Sequence, residues 1–387
     1  MTFMVTNSSQ NGSTAGPRDL ICFSHLRWDF VFQRPQHLMT RFSHANRVFF
    51  IEEPVFGDDG PRLEVSRRER GLHVVTPHLP NGSDADDAMP GLIADLRKNE
   101  NIDRAVLWFY TPMMLDWRGD LEPSCVVYDC MDELSMFKNA PPELIDREQR
   151  LFELADLVFT GGQSLYEAKR EKHPSVHAFP SSIDVKHFET ALDQTSEPED
   201  QRSIPLPRIG FFGVIDERTD IDLLSKIAEL RPDWHFVMLG PVVKIDEADL
   251  PHRENIHYLG GKGYGDLSAY IGGWDVAMMP FAINDSTRFI SPTKTPEYLA
   301  AGRPVVSTPI RDVVRPYGEL GLVHIASTPE EFVNAIETAM AEDSEERRAK
   351  AAKFLSAISW DKTQNEMRQL IEEVIATPAG HRAVVSV

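Results

Sequence analysis

Short continuous apolar runs recur along this chain, and amphipathic stretches separate many of them. Runs at residues 19–24, 47–52, 72–76, 105–109, 126–128 and 157–159 predict buried strands. Pro35 suits the first turn of a helix that continues through Leu38, Met39 and Phe42, and helical patterns follow at 142–154 and 164–172. Residues 190–207 break this rhythm: they are polar, acidic and punctuated by proline, which predicts a linker. The alternation then restarts, with strands predicted at 208–212, 235–239, 256–259, 276–279, 305–307 and 322–325. Helices are predicted at 221–230, 296–301, 329–341, 345–357 and 361–375. Apolar strands alternating with amphipathic helices form a parallel sheet covered on both faces. The fold class is therefore α/β, with two Rossmann-like domains in series. The expected layout is a polar tail over 1–18, a first domain over 19–189, a linker over 190–207, a second domain over 208–358, a closing helix over 359–377 and a tail over 378–387. Open α/β sheets bind ligands at the carboxyl ends of their strands, so two facing sheets would share one cleft.

The charge balance narrows the partners. Forty Lys and Arg against sixty Asp and Glu give a net charge of −20, which argues against nucleic acid as the main partner. An anionic small molecule held in a local pocket stays compatible with it. The three cysteines, Cys22, Cys125 and Cys130, fit buried thiols in a reducing cytoplasm better than a disulfide framework or a zinc site. No apolar run is long enough to span a bilayer, and the first residues lack the apolar core of a signal peptide. Cytoplasmic residence is expected. Arg147, Arg150, Lys169 and Lys172 offer a candidate basic face for weak peripheral contact with the inner side of the membrane.

Several tempting motifs do not hold. The run Gly260-Gly-Lys-Gly-Tyr-Gly265 has neither dinucleotide-fingerprint nor P-loop spacing, and it does not open the first helix of its domain. Asp84-Ala-Asp86 lies in a stretch that reads as a solvated acidic loop rather than a metal site. The 13 histidines show no ligand spacing.

The informative stretch runs from Pro280 to Ser307. A strand ends at Pro280, a long polar loop follows, and a short helix starts near Thr295 with Thr293 and Thr295 as capping types and Pro296 in the first helical position. Lys294 stands beside the helix start, which predicts an anion site, and Glu297 in the first turn can accept two hydroxyl hydrogen bonds, as from a ribose. The helix dipole alone would also account for a glutamate there.

The sequence Pro-Thr-Lys-x-x-Glu-Tyr-Leu-Ala-Ala-Gly-x-Pro-Val-Val-Ser resembles the donor-binding segment of family 4 glycosyltransferases, which have the GT-B fold. The resemblance covers about residues 19–375 and is stronger in the second domain. The wording around Asp216-Glu-Arg218 and Tyr128-Asp-Cys-Met-Asp-Glu133 resembles the branch with teichuronic-acid-type bacterial enzymes.

The resemblance implies a transferase moving a sugar from a nucleotide-diphosphate sugar to a glycan, lipid-linked or small-molecule acceptor in cell-surface polysaccharide synthesis. Configuration would be retained, with no metal and no cofactor beyond the donor. Glu297 would hold the ribose, and Thr293, Lys294 and Thr295 the diphosphate. Gly213 opens a turn in which relatives carry an arginine and then a lysine. Val214 stands in place of the arginine, and Arg218 lies near the position of the lysine. Phe289 stands where relatives often have a sugar-contacting glutamate. The segment from Asn255 to Tyr264 resembles the loop facing the nucleobase. There Gly260 lets the backbone approach, and Tyr264 either stacks on the base or packs against its own helix. On the acceptor side the candidates are His25, Arg27, Trp28, Asp29 and Arg34. Asp129 and Asp132 would position the acceptor hydroxyl or polarise the donor, making a catalytic set with Arg218 and Lys294. The closing helix, with its stripe of Met367, Leu370, Ile371 and Val374, would pack back on the first domain. A nucleotide-sugar 2-epimerase, a catalytically silent sugar- or nucleotide-binding protein and a structural partner of a membrane assembly remain open alternatives.

Overall fold

The computed structural model describes residues 18–68, 71–193 and 197–377, so the predicted tail at 1–18, apart from Arg18, and the predicted tail at 378–387 lie outside the described residues. The first sheet contains β1 (Asp19–Phe23), β2 (Arg47–Ile51), β3 (Val55–Gly57), β4 (Arg62–Arg67), β5 (Leu72–Pro80), β6 (Ala105–Phe109), β7 (Pro123–Cys130), β8 (Leu157–Thr160) and β9 (Val176–Ala178). Its order is β3-β5-β2-β1-β6-β7-β8-β9, parallel throughout except for β4, which pairs antiparallel with β5. The second sheet contains β10 (Arg208–Phe212), β11 (His235–Leu239), β12 (Ile256–Gly260), β13 (Val276–Met279), β14 (Val305–Ser307) and β15 (His324–Ile325). It is fully parallel in the order β12-β11-β10-β13-β14-β15. The strand order reverses between β1 and β6 in one sheet and between β10 and β13 in the other, which places binding crevices at those carboxyl ends.

The pattern that marked the strands is the pattern that buries them: every residue of β1, β6, β10 and β13 is buried. Strands β3, β4 and β9 escaped the sequence reading because their residues are half or fully exposed and carry no apolar run. The acidic stretch around Asp84 is not a solvated loop. Asp84 caps the helix Ala85–Asn99 through the Asp86 N–H at 2.9 Å, and Asp86 receives Trp117 Nε1 at 2.8 Å and pairs with Arg147. The three cysteines are buried on β1 and β7 and form no disulfide with one another.

The segment read as a linker is docked on the second domain. Gln201 is fully buried, accepting from Trp274 Nε1 at 2.9 Å and donating to the Tyr270 carbonyl at 2.9 Å, while Ala191 and Ile204 join the second core. A polar composition signals solvent only until its hydrogen bonds are met inside. Ile183 and Phe188 also pack in that core, so packing assigns them to the second domain. The closing helix Trp360–Ala376 returns to the first domain, where Trp360, Met367 and Ile371 pack with β1, β2 and the helix Arg34–Ser43. Trp360 stacks on His37 at 4.6 Å, and Asp361 pairs with Arg41 at 2.6 Å.

The candidate basic face does not form. Lys169 is 2% exposed and pairs with Glu133 at 2.7 Å and Glu148 at 2.8 Å, and Arg150 pairs with Asp116. Neighbouring carboxylates neutralise the cations that the sequence seemed to cluster. Among the described residues no helix is long and apolar enough to cross a membrane.

Candidate active site

A cleft of about 570 Å³ lies between the carboxyl ends of the two sheets. The loop after β1 forms one wall, with Trp28, Asp29, Phe32 and Gln33; Gly213, Val214, Arg218, Tyr264, Thr293, Lys294 and Glu297 form the other. A second chamber of about 100 Å³ adjoins it, lined by Gln33, Asp132 and Ser181 and sharing Val214, Arg218, Thr293 and Lys294 with the cleft.

The turn after β10 brings the backbone close to Lys294. Gly213 adopts φ +135°, and a Cβ there would lie 2.2 Å from Lys294 Cε, so only glycine leaves room for the lysine stem. Lys294 Nζ lies 5.6 Å from the Phe211 ring centroid and 5.7 Å from that of Phe281, with no hydrogen-bond partner among the described residues. Burial, reinforced by the Arg218 charge, lowers its pKa to about 8 against the pull of Glu297. Glu297 is 4% exposed and its Oε2 has no hydrogen-bond partner among the described residues. Burial pushes its carboxyl up to about 7, with Lys294 opposing. A carboxylate and an ammonium, both short of partners and both facing one cleft, are costly without a ligand.

Arg218 is held by Asp216, with Nε to Oδ1 at 3.0 Å and Nη2 to Oδ2 at 2.7 Å. Asp132 makes no side-chain hydrogen bond among the described residues. Burial raises its pKa to about 6, against the charges of Arg218 and Arg34. The structure thus brings Asp132, Arg218, Lys294, Thr293, Gly213 and Glu297 around the shared wall of the two chambers.

Other expected site residues are committed elsewhere. The helix starts at Lys294, so Pro296 takes its third position, and Thr293 adopts a helical backbone without a side-chain cap. Thr295 is fully buried with its hydroxyl on Met279 Sδ at 3.5 Å, away from the cleft. The Gly260 carbonyl accepts from Gly240 at 2.9 Å, and it is Gly261 and Gly263 that line the cleft. Tyr264 stacks on Phe32 at 4.4 Å and on His187 at 4.4 Å. Two rings at that distance occupy both of its faces, leaving none for a nucleobase. Phe289 packs into the core of the first domain, so its side chain serves the domain contact rather than a sugar.

On the acceptor side, Asp129 is fully buried in a fork with Arg34, Nε to both oxygens at 3.1 Å and Nη2 to Oδ1 at 2.8 Å; Arg34 Nη1 also donates to the Phe179 carbonyl. Asp129 lines neither chamber, whereas Arg34 lines the second one while holding Asp129. Arg27 is tied to Glu52 at 3.2 Å and to the Pro54 carbonyl, and His25 lines neither chamber. Trp28 and Asp29 do line the cleft, Asp29 while paired with Arg68. The sequence reading missed Gln33, which faces both chambers, because a lone glutamine after an aromatic loop carries no signal of its own.

Residues 206–342 match the family model "Glycosyl transferases group 1". The chain is 25% identical over 231 residues to a protein assigned by name to teichuronic acid biosynthesis as a glycosyltransferase, TuaH of Bacillus subtilis strain 168; the match covers 54% of this chain and 56% of the relative. The chain thus spans about half the length of that curated relative. Among solved structures it is similar to a sucrose-phosphate synthase from Thermosynechococcus elongatus, with TM-score 0.70, 13% identity and coverage of 93% of this chain and 99% of the other. It is also similar to a trehalose-6-phosphate protein from E. coli bound with UDP-2-fluoro glucose, with TM-score 0.67, 12% identity and the same coverages. At such identities the structural likeness speaks for the fold. Two facing Rossmann-like domains and the matched segment converge on one statement: the chain has the GT-B fold, and its residues 206–342 match the model of the group 1 glycosyl transferases.

Proposed function

We propose that the protein transfers a sugar from a nucleoside-diphosphate sugar to an acceptor hydroxyl, in the assembly of a bacterial cell-surface polysaccharide. The carrying observation is that Glu297, whose Oε2 has no hydrogen-bond partner among the described residues, and Lys294, whose ammonium has none there either, line the same cleft wall. Glu297 would accept the ribose hydroxyls, and Lys294 and Arg218 would meet the diphosphate. In the reaction the acceptor oxygen bonds to the anomeric carbon as the bond from that carbon to the diphosphate oxygen breaks. Two cations held in a partly desolvated wall would stabilise the charge gathering on the departing diphosphate. The acceptor proton passes to Asp132 or to a diphosphate oxygen, and an acid raised to about 6 is a stronger base than an ordinary carboxylate while still ionised at neutral pH. The polysaccharide assignment is supported by the name of the Bacillus subtilis relative.

The test is a panel of UDP-, GDP- and ADP-sugars assayed for nucleoside diphosphate release with and without glycan and lipid-linked acceptors. Acceptor-dependent release supports the reading. Conversion of the sugar without acceptor would favour an epimerase, and binding without turnover a silent binding protein.

A further inference from the structure

The loop after β7 crosses from the first domain to the second beside Arg218. Its base is anchored at home: Glu133 pairs with Lys169 at 2.7 Å, Ser135 donates to Glu133 at 2.8 Å, and Met136 packs against the core of the first domain. A short turn, Leu134–Met136, then presents Phe137, whose N–H bonds the Leu134 carbonyl at 3.3 Å. The Phe137 ring meets two cations of the second domain. The Arg218 guanidinium lies 5.6 Å from its centroid and Lys244 Nζ lies 5.5 Å away. The next residue strengthens the crossing, since the Lys138 N–H donates to Glu217 Oε1 at 3.1 Å, one residue before Arg218.

Asp216 holds the edge of the Arg218 fork, and Phe137 meets the same guanidinium from the opposite domain. Neither partner covers the chambers, because Arg218 still lines both. We infer that Phe137 is a positioning residue: through its ring the first domain holds Arg218 toward the donor diphosphate, so the grip on that diphosphate depends on contact between the two domains. This rests on the donor-site reading above. A guanidinium over an aromatic ring is attracted to its face and loses freedom to swing. The acceptor-side domain would thereby contribute to donor binding without touching the donor.

The experiment measures binding of UDP and GDP, and of uridine and guanosine, by calorimetry to the full chain and to Arg218→Ala, Phe137→Ala and Phe137→Tyr. The expected result is that Phe137→Ala weakens the diphosphate by roughly 2- to 30-fold, leaves the nucleoside within about twofold, and that Phe137→Tyr restores the parent ratio. A merely structural role would weaken both ligands together, and that result overturns the inference. So does an unchanged diphosphate-to-nucleoside ratio in Phe137→Ala when Arg218→Ala lowers it. If the parent binds neither diphosphate more tightly than its nucleoside, or Arg218→Ala changes nothing, the donor-site reading fails instead. Should Phe137→Ala not fold, Phe137→Leu, which keeps the bulk and removes the ring, is read by the same ratio.

Discussion

Replacing Glu297 should weaken nucleotide binding while leaving the empty protein no less stable, a combination that a structural glutamate cannot produce. The residue is 4% exposed, one carboxyl oxygen has no partner among the described residues, and burial lifts its pKa from 4.5 to about 7. A raised acid binds its proton more tightly in the folded state. Its contribution to stability is therefore fully present below about pH 4.5 and is lost as pH rises toward 7. At about 1.4 kcal/mol per unit the shift corresponds to a cost of about 3 kcal/mol above pH 7, part of it shared with the Lys294 pairing. Glu297→Gln removes that cost, so its midpoint of thermal unfolding at pH 8 should equal or exceed that of the parent. Binding moves the other way. A charge-assisted hydrogen bond contributes about 1.5–3 kcal/mol, and loss of one sets the floor at roughly 10- to 150-fold weaker nucleoside diphosphate. Calorimetric titration and a melting curve on the same samples test both halves. A variant that melts several degrees lower and binds nucleotide like the parent would refute the reasoning and make Glu297 a structural residue.

Lys294→Ala should weaken nucleoside diphosphate more than nucleoside, and in the parent the diphosphate affinity should fall as pH rises through about 8, where Lys294 loses its proton; a titration series from pH 6 to 9 reads both. Asp132→Asn should remove the acid limb, near pH 6, of the pH profile of kcat/KM while leaving diphosphate binding close to the parent's. Asp129→Ala strands the buried Arg34 charge and should cost about 3–5 kcal/mol in urea unfolding, consistent with a structural rather than a chemical role. Trp360→Ala should cost about 3–5 kcal/mol, because a fully packed indole is lost from the contact of the closing helix with the first domain.

Much of the fold was legible because its cause is local. A strand buried on both faces must be apolar along its whole length, so β1, β6, β10 and β13 announce themselves, and the repeat of strand and helix implies two parallel sheets. Exposed edge strands such as β4 carry no such signature. The cleft wall around Gly213, Lys294 and Glu297 was legible for a similar reason. A glycine turn after a strand, and a lysine and glutamate at a helix start, lie within short sequence windows whose backbone geometry follows from the residues themselves. What the sequence left undecided was which polar groups remain free. Asp129 and Asp132 are three positions apart and look equivalent, yet one is consumed by Arg34, 95 residues away, and the other faces a chamber. For Tyr264 the sequence left stacking on a base and packing within the protein equally open, and the structure places Phe32 and His187 on its ring. Lys169 looked like part of a basic surface until Glu133 and Glu148 buried it. Hydrogen bonds and ion pairs are short-range in space and blind to sequence separation. Their assignment therefore waits on the packing of distant segments, while burial and periodicity are already written in each segment alone.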